Sequence, residues 1–211
     1  MLNHQLKGTE PVCHNFLSDP TFYRYLFEID QDIAAEVQSG GCTCGGVLHS
    51  ARYPRKPRGI RSALDETYYY RLSYCCAEDG CRRRTTPPSV RFLGRKVYLG
   101  IVVLLLSAMR HGLSARRRRD LVEAPGVSPQ TLWRWRRWWQ QTFPESRCWQ
   151  IERGRFLPPI DAGQLPDALL GCLSGESPAD RARRLLRLVA PTTTASWEPP
   201  WLRVGVDPQE M

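Results

Sequence analysis

Apolar residues recur at helical spacing near the start of the chain. Phe22, Leu26, Ile29, Ile33 and Val37 predict an amphipathic helix over about Pro20 to Gln38. Asp19 is placed to cap it, Pro20 suits the first helical position, and Gly40 and Gly41 stop it. From 42 to 88 the helical period is lost, and short strands and loops are expected. Tyr53 to Gly59 mixes Pro54, Pro57 and Gly59 with basic residues, as an exposed basic loop does. Thr67 to Cys76 alternates, and a strand there puts Tyr68, Tyr70, Leu72, Tyr74 and Cys76 on one face. Pro87 and Pro88 close the unit.

The helical period returns from about Phe92 to Glu152. One helix is expected near Leu93 to His111, with Gly112 as its stop, and a second from Ser114 to about Glu123. Pro125 and Gly126 break the chain. A third helix starts with Ser128 as cap and Pro129 at the first position, runs to about Thr142, and ends before Pro144. Pro158 and Pro159 mark a connector. Leu165 to Leu173 and Ala179 to Leu188 predict two short amphipathic helices, and disorder is expected beyond Pro191. The expected fold is α+β, mainly α. Its parts are an N-terminal helical segment (1–40), a small β unit (41–89), a three-helix unit (90–150), a short helical segment (151–190) and a disordered tail (191–211).

Charge sharpens this picture. The 211 residues carry a net charge of +9, but unevenly. Between Arg110 and Arg137 there are eight arginines against two acids, Asp120 and Glu123. A local excess of this kind points to a polyanionic partner, and a uniform one would point only to solubility. The run Leu99 to Met109 is apolar but only 11 residues long, against the roughly 20 that span a bilayer, so it reads as a buried helix. Residues 1 to 11 lack an apolar export core. A cytoplasmic, nucleoid-associated protein with no membrane partner is expected.

Five of the eight cysteines lie between positions 42 and 81. Cys42 and Cys44 sit in C-T-C-G-G, Cys76 and Cys81 in C-A-E-D-G-C, with 31 residues between the pairs. Four thiolates in two pairs suit tetrahedral Zn²⁺, and Gly45, Gly46 and Gly80 let the backbone turn and aim N–H groups at sulfur. Cys75 is an alternative to Cys76, which is favoured because it shares a face with Tyr70, Leu72 and Tyr74. His49 is an alternative ligand on the first side. Four protein ligands leave no position for water, so the zinc is expected to be structural. Cys13, Cys148 and Cys172 have no partner at ligand spacing and read as ordinary thiols. The unit resembles the broad zinc-ribbon family, although its first pair is tighter and its second wider than the usual C-x-x-C.

Within Gly126 to Trp135, Gly126 permits a tight turn, Val127 packs beneath it and Ser128 caps the next helix. Leu132, Trp135 and Trp139 make a buried stripe, and Gln130, Trp133, Arg134 and Arg137 the opposite one. Such a face suits the major groove of DNA. Of the four tryptophans at 133, 135, 138 and 139, Trp133 is expected to be exposed. The string resembles the helix-turn-helix of bacterial transposases and of resolvase or invertase C-terminal domains. That resemblance implies that Ser128, Gln130, Thr131 and Arg134 face DNA, and that Val127, Leu132 and Trp135 hold the domain together. Arg116 and Arg117, in the run to Arg119, are placed to neutralise phosphates from the preceding helix.

A zinc ribbon followed by a helix-turn-helix resembles the N-terminal part of bacterial insertion-sequence transposases. The catalytic domain of such enzymes needs three spaced carboxylates on a domain of about 100 residues or more. Only 61 residues follow position 150, and their acids fall in helix or tail contexts. No nucleophile elbow, phosphate loop or H-E-x-x-H is present. The expected protein is therefore a double-stranded-DNA-binding module of mobile-element type and not an enzyme. Expected partners are a second copy or a separate transposase subunit. The alternatives are a subunit of an active transposase or recombinase, and a zinc-ribbon RNA-binding protein.

Overall fold

The computed structural model describes residues 19–55, 64–93, 100 and 127–194. The helices expected near 93–111 and 114–123, with Arg116, Arg117 and Gly126, lie outside the described residues, as do Cys13 and 195–211. The described chain is α+β and mainly helical, with small antiparallel sheets.

Helix α1 spans Pro20–Ser39, and its start follows the sequence logic: the Asp19 carboxylate accepts from the Thr21 N–H at 2.8 Å, and Pro20 fills the first turn. Its two halves face different neighbours. Phe22, Tyr23, Leu26 and Ile29 enter the main core, whereas Ala34 and Val37 pack with Leu48, Tyr74 and two cysteines in a smaller cluster. Gln38 adds a hydrogen bond to the Leu48 carbonyl at 3.1 Å. One helix thus ties the β unit to the helical core.

The β unit contains β1 (Leu48–Ser50), β2 (Tyr53–Pro54), β3 (Tyr70–Arg71), β4 (Tyr74–Cys76) and β5 (Arg84–Thr85). All pairs are antiparallel, in the orders β1-β4-β5 and β2-β3. The single strand expected over Thr67 to Cys76 is not formed. Asp65 accepts from the Thr67 N–H and starts a 3-10 turn at Glu66–Tyr69, and two short strands follow. The alternation fails with it. Arg71 and Ser73, on the parity expected to face solvent, are buried because the Arg71 guanidinium donates to the Pro87 carbonyl and Ser73 Oγ to that of Thr85. Tyr74 and Cys76 still point inward.

The helical part contains α2 (Pro129–Arg137), α3 (Arg147–Glu152), α4 (Asp167–Cys172) and α5 (Pro178–Val189). Ser128 caps α2 as expected, but the helix does not run on to Thr142 in α geometry. Trp138–Thr142 form a π-helical turn, closed by the Phe143 N–H on the Trp138 carbonyl at 2.8 Å. The wider turn brings positions five apart onto one side. Trp138 and Trp139 both reach Phe143, with ring centres 5.5 and 5.1 Å away. Phe143 passes the contact on to Trp149, and Trp149 stacks on Phe156. Helix α5 closes the core with Ala182, Leu185, Leu186 and Val189, and its start is fixed by a reciprocal Ser177–Asp180 capping box. Disorder does not set in at Pro191. Ala190–Thr193 form a 3-10 turn, and Thr193 Oγ1 accepts from the Ser89 N–H at 3.0 Å.

A buried ion pair sits where α1 meets the chain leaving the β unit. Arg91 Nε lies 2.7 Å from Asp30 Oδ2, and neither side chain is more than 1% exposed. The remaining valences are filled. Asp30 also accepts from Ser89 Oγ at 2.6 Å and from the Val90 N–H at 2.7 Å, and the Arg91 guanidinium donates to the Tyr68 and Tyr70 carbonyls. The rings of Phe27, Tyr68 and Phe92 pack around the guanidinium, with centres 4.6 to 4.9 Å from its carbon. This network fixes the 3-10 turn and β3 against α1.

Candidate functional site

Two loops of the β unit converge on one point. Cys42 and Cys44 precede β1, Cys76 ends β4, and Cys81 lies in the turn to β5. The four Sγ atoms all lie within 4.8 Å of one another. The closest contacts join the two loops, Cys42 to Cys81 at 3.7 Å and Cys44 to Cys76 at 3.5 Å. Disulfide sulfurs stand about 2.05 Å apart, so these are not oxidised pairs. Four sulfurs at about 2.3 Å from a central zinc are about 3.8 Å from each other, close to the spacing seen.

The backbone around the cysteines is built to hold them. The residue after the second cysteine of each pair is left-handed, Gly45 at φ 84° and Arg82 at φ 46°. Only the first is a glycine, so the second loop adopts this turn against the preference of an ordinary side chain. The Cys42 N–H donates to the Gly46 carbonyl, the Gly45 N–H to that of Cys42, and the Cys81 N–H to that of Glu78. Gly46 leaves no room for a side chain, since a Cβ there would stand 2.7 Å from Cys76 Sγ. Arg83 bridges the loops by donating to Thr43 Oγ1 at 2.6 Å.

Electrostatics favour a cation at the centre. The Cys44 backbone N–H on its sulfur, opposed by burial and helped by the neighbouring thiols, holds Cys42 down to about 6. For Cys76 the Glu78 N–H also favours the thiolate, but burial and the other three cysteines outweigh it and push the group up to about 12. The Cys42 thiolate forms readily, whereas those of Cys76 and Cys81 are resisted. A divalent ion removes that conflict, and the N–H donors that orient the sulfurs remain useful. The donor set therefore fits a metal ion and is compatible with structural Zn²⁺.

The alternative ligands are set aside by strand parity. His49 pairs with Cys75, and Leu48 with Cys76, across β1 and β4. Neighbouring residues point to opposite faces, so Cys76 is inward with Leu48, whereas His49 is exposed and Cys75 donates to the Arg82 carbonyl. Cys148 is buried and donates to the Leu188 carbonyl at 3.2 Å, and burial pushes its thiol up to about 11. Cys172 is exposed.

Helix α2 divides as its pattern predicts. Val127, Trp135 and Trp139 are buried and Leu132 is half-buried. Ser128, Gln130, Arg134 and Arg137 are exposed, Thr131 is half-buried, and Trp133 is 58% exposed. The outer face is ordered by its own contacts. Thr131 Oγ1 accepts from Ser128 Oγ at 3.0 Å and from Arg134 at 3.2 Å. The Arg137 guanidinium lies 5.4 Å from the centre of the Trp133 ring and donates to Gln141 at 2.7 Å. Gln141 extends this row and was not singled out in the sequence, although it lies four residues after Arg137. Among the described residues, no helix is long and apolar enough to cross a membrane.

No protein family, curated protein or solved structure matches this chain.

Proposed function

We propose that this protein binds double-stranded DNA with the outer face of α2, and that a structural zinc ion on Cys42, Cys44, Cys76 and Cys81 stabilises its β unit. In this reading the β unit is zinc-ribbon-like, and α2 is the recognition helix of a helix-turn-helix. Gln130 and Arg134 reach base edges, Ser128 and Thr131 hold the phosphates near the helix start, and Trp133 and Arg137 flank the groove. The observation that carries this reading is the outward row of Gln130, Trp133, Arg134 and Arg137 on a helix whose other side is locked by Trp135 and Trp139. The protein acts as a binding module and not as an enzyme. The resemblance of its cysteine pairs and of the Gly126 to Trp135 string to transposase N-terminal regions supports reading it as an accessory or regulatory protein of a mobile element.

Arg134→Ala tests the assignment. A base-contacting arginine is worth about 1–3 kcal/mol, so duplex affinity should fall roughly 5- to 150-fold in fluorescence anisotropy. Zinc content and thermal stability should not change, because Arg134 is exposed and, among the described residues, its side chain is bonded only to Thr131. Unaltered affinity, or stronger binding to folded RNA than to duplex DNA, would reject it.

A further inference from the structure

Among the described residues, the two buried arginines each find oxygen partners. Arg91 is paired with Asp30, and Arg71 donates to the Pro87 carbonyl. Three arginines at the surface of the β unit are held differently. The Arg52 guanidinium carbon lies 5.3 Å from the centre of the Tyr70 ring. Arg55 lies 5.1 Å and Arg84 5.8 Å from the centre of the Tyr53 ring. Arg52 and Arg84 are exposed and Arg55 is half-buried. Among the described residues, none of the three is in an ion pair.

The sheet register sorts them onto two faces. Tyr53 of β2 pairs with Arg71, and Pro54 with Tyr70, so the two tyrosines point to opposite faces of the β2-β3 ribbon: Arg52 lies with Tyr70 on one face, and Arg55 with Tyr53 on the other. Arg84 arrives from β5, in the other sheet. Like charges brought together without carboxylates repel one another, and an anion relieves that repulsion. A guanidinium lying over a ring keeps its N–H edge available, and that fork matches the oxygens of a phosphate. The chain's net charge of +9 favours the same class of ligand.

We propose that Arg55 and Arg84, ordered on the one ring of Tyr53, form a second phosphate-binding surface. It grips the backbone of the same duplex whose groove α2 enters. This inference rests on the DNA-binding reading above. The β unit then contributes affinity directly, and not only as a folded support. Backbone contacts carry no sequence information, so the surface adds affinity equally on every duplex.

The test uses the full-length, zinc-loaded protein and a fluorescein-labelled duplex of random sequence, titrated across a salt series. Replacing both arginines by glutamine (R55Q/R84Q) should make the log–log salt slope shallower by about 0.9 for each phosphate lost, up to about 1.8 in all. The loss should be the same on unrelated duplex sequences, and the corresponding double lysine variant should keep the wild-type slope. Phenylglyoxal footprinting of the wild-type protein needs no variant, and saturating duplex should protect Arg55 and Arg84. Steep wild-type binding with an unchanged glutamine-variant slope, or with no protection of the two arginines, overturns this surface and leaves the α2 reading standing. If the wild-type protein binds no duplex, both fall together. A glutamine variant that loses its zinc leaves the decision to the footprint.

Discussion

Removing the metal should unfold the β unit. A zinc chelator, or Cys76→Ser, should abolish hydrogen-exchange protection in β1, β4 and β5. The reason is the size of the core. Beneath these strands the apolar cluster consists of Ala34, Leu48, Tyr74 and two of the cysteines, with Val37, Leu72 and Cys81 at its edge. That is too little burial to offset the ordering of the loops without the metal. Structural zinc contributes about 10–16 kcal/mol in small domains at neutral pH, far more than any single contact in this unit. Cys75→Ser is the matched control. It alters the neighbouring residue on the opposite face, and one zinc per chain should remain. The metal depresses the thiol pKa values, so affinity is present at neutral and higher pH and is lost as pH falls and protons displace the ion. Zinc-free protein with full protection in β1 and β4 would refute this reading.

The second large effect is expected far from any surface. Asp30→Ala should destabilise the protein by about 3–5 kcal/mol, because it leaves the Arg91 guanidinium buried without its carboxylate. For a chain of this size that corresponds to roughly 6–20 °C in melting temperature. The usual remedy, replacing both charges by apolar residues, should fail here. An Asp30→Leu, Arg91→Met pair also strips the Val90 N–H and the Tyr68 and Tyr70 carbonyls of their partners. Buried backbone groups without partners cost about 1–3 kcal/mol each. Urea denaturation of the single and double variants measures both effects, and a loss below about 1 kcal/mol for Asp30→Ala would show that the network is not the fastening described.

Some of this structure is legible residue by residue. The Asp19-Pro20 start and the Gly40 stop of α1 are local signals, as is the Ser128-Pro129 start of α2, and each acts through atoms a few positions away. The cysteine pairs were legible because metal ligation demands side chains of one chemistry at short spacing. Strand parity near Tyr74 is simple, and it separates Cys76 from Cys75.

Long-range features were not legible. Asp30 and Arg91 are 61 residues apart, and each in isolation reads as a surface charge. Arg71 and Ser73 are buried by bonds to Pro87 and Thr85, partners that alternation does not reveal. The Asp65–Thr67 turn overrode the β pattern of the tyrosine run. The π-helical turn reflects the fit of Trp138, Trp139 and Phe143 into a shared core, and helical periodicity alone gives no sign of it. The turn after Pro191 is fixed by Ser89, a residue 104 positions away from its Thr193 partner.

Duplex binding by the exposed arginine face is tested most directly by the salt dependence of the wild-type affinity. Roughly five phosphate contacts at about 0.9 each give a log–log slope near −4.5. A steep fall of that order across a series of sodium chloride concentrations agrees with a groove-entering cationic surface. A flat profile, or no measurable affinity for duplex at low salt, contradicts it.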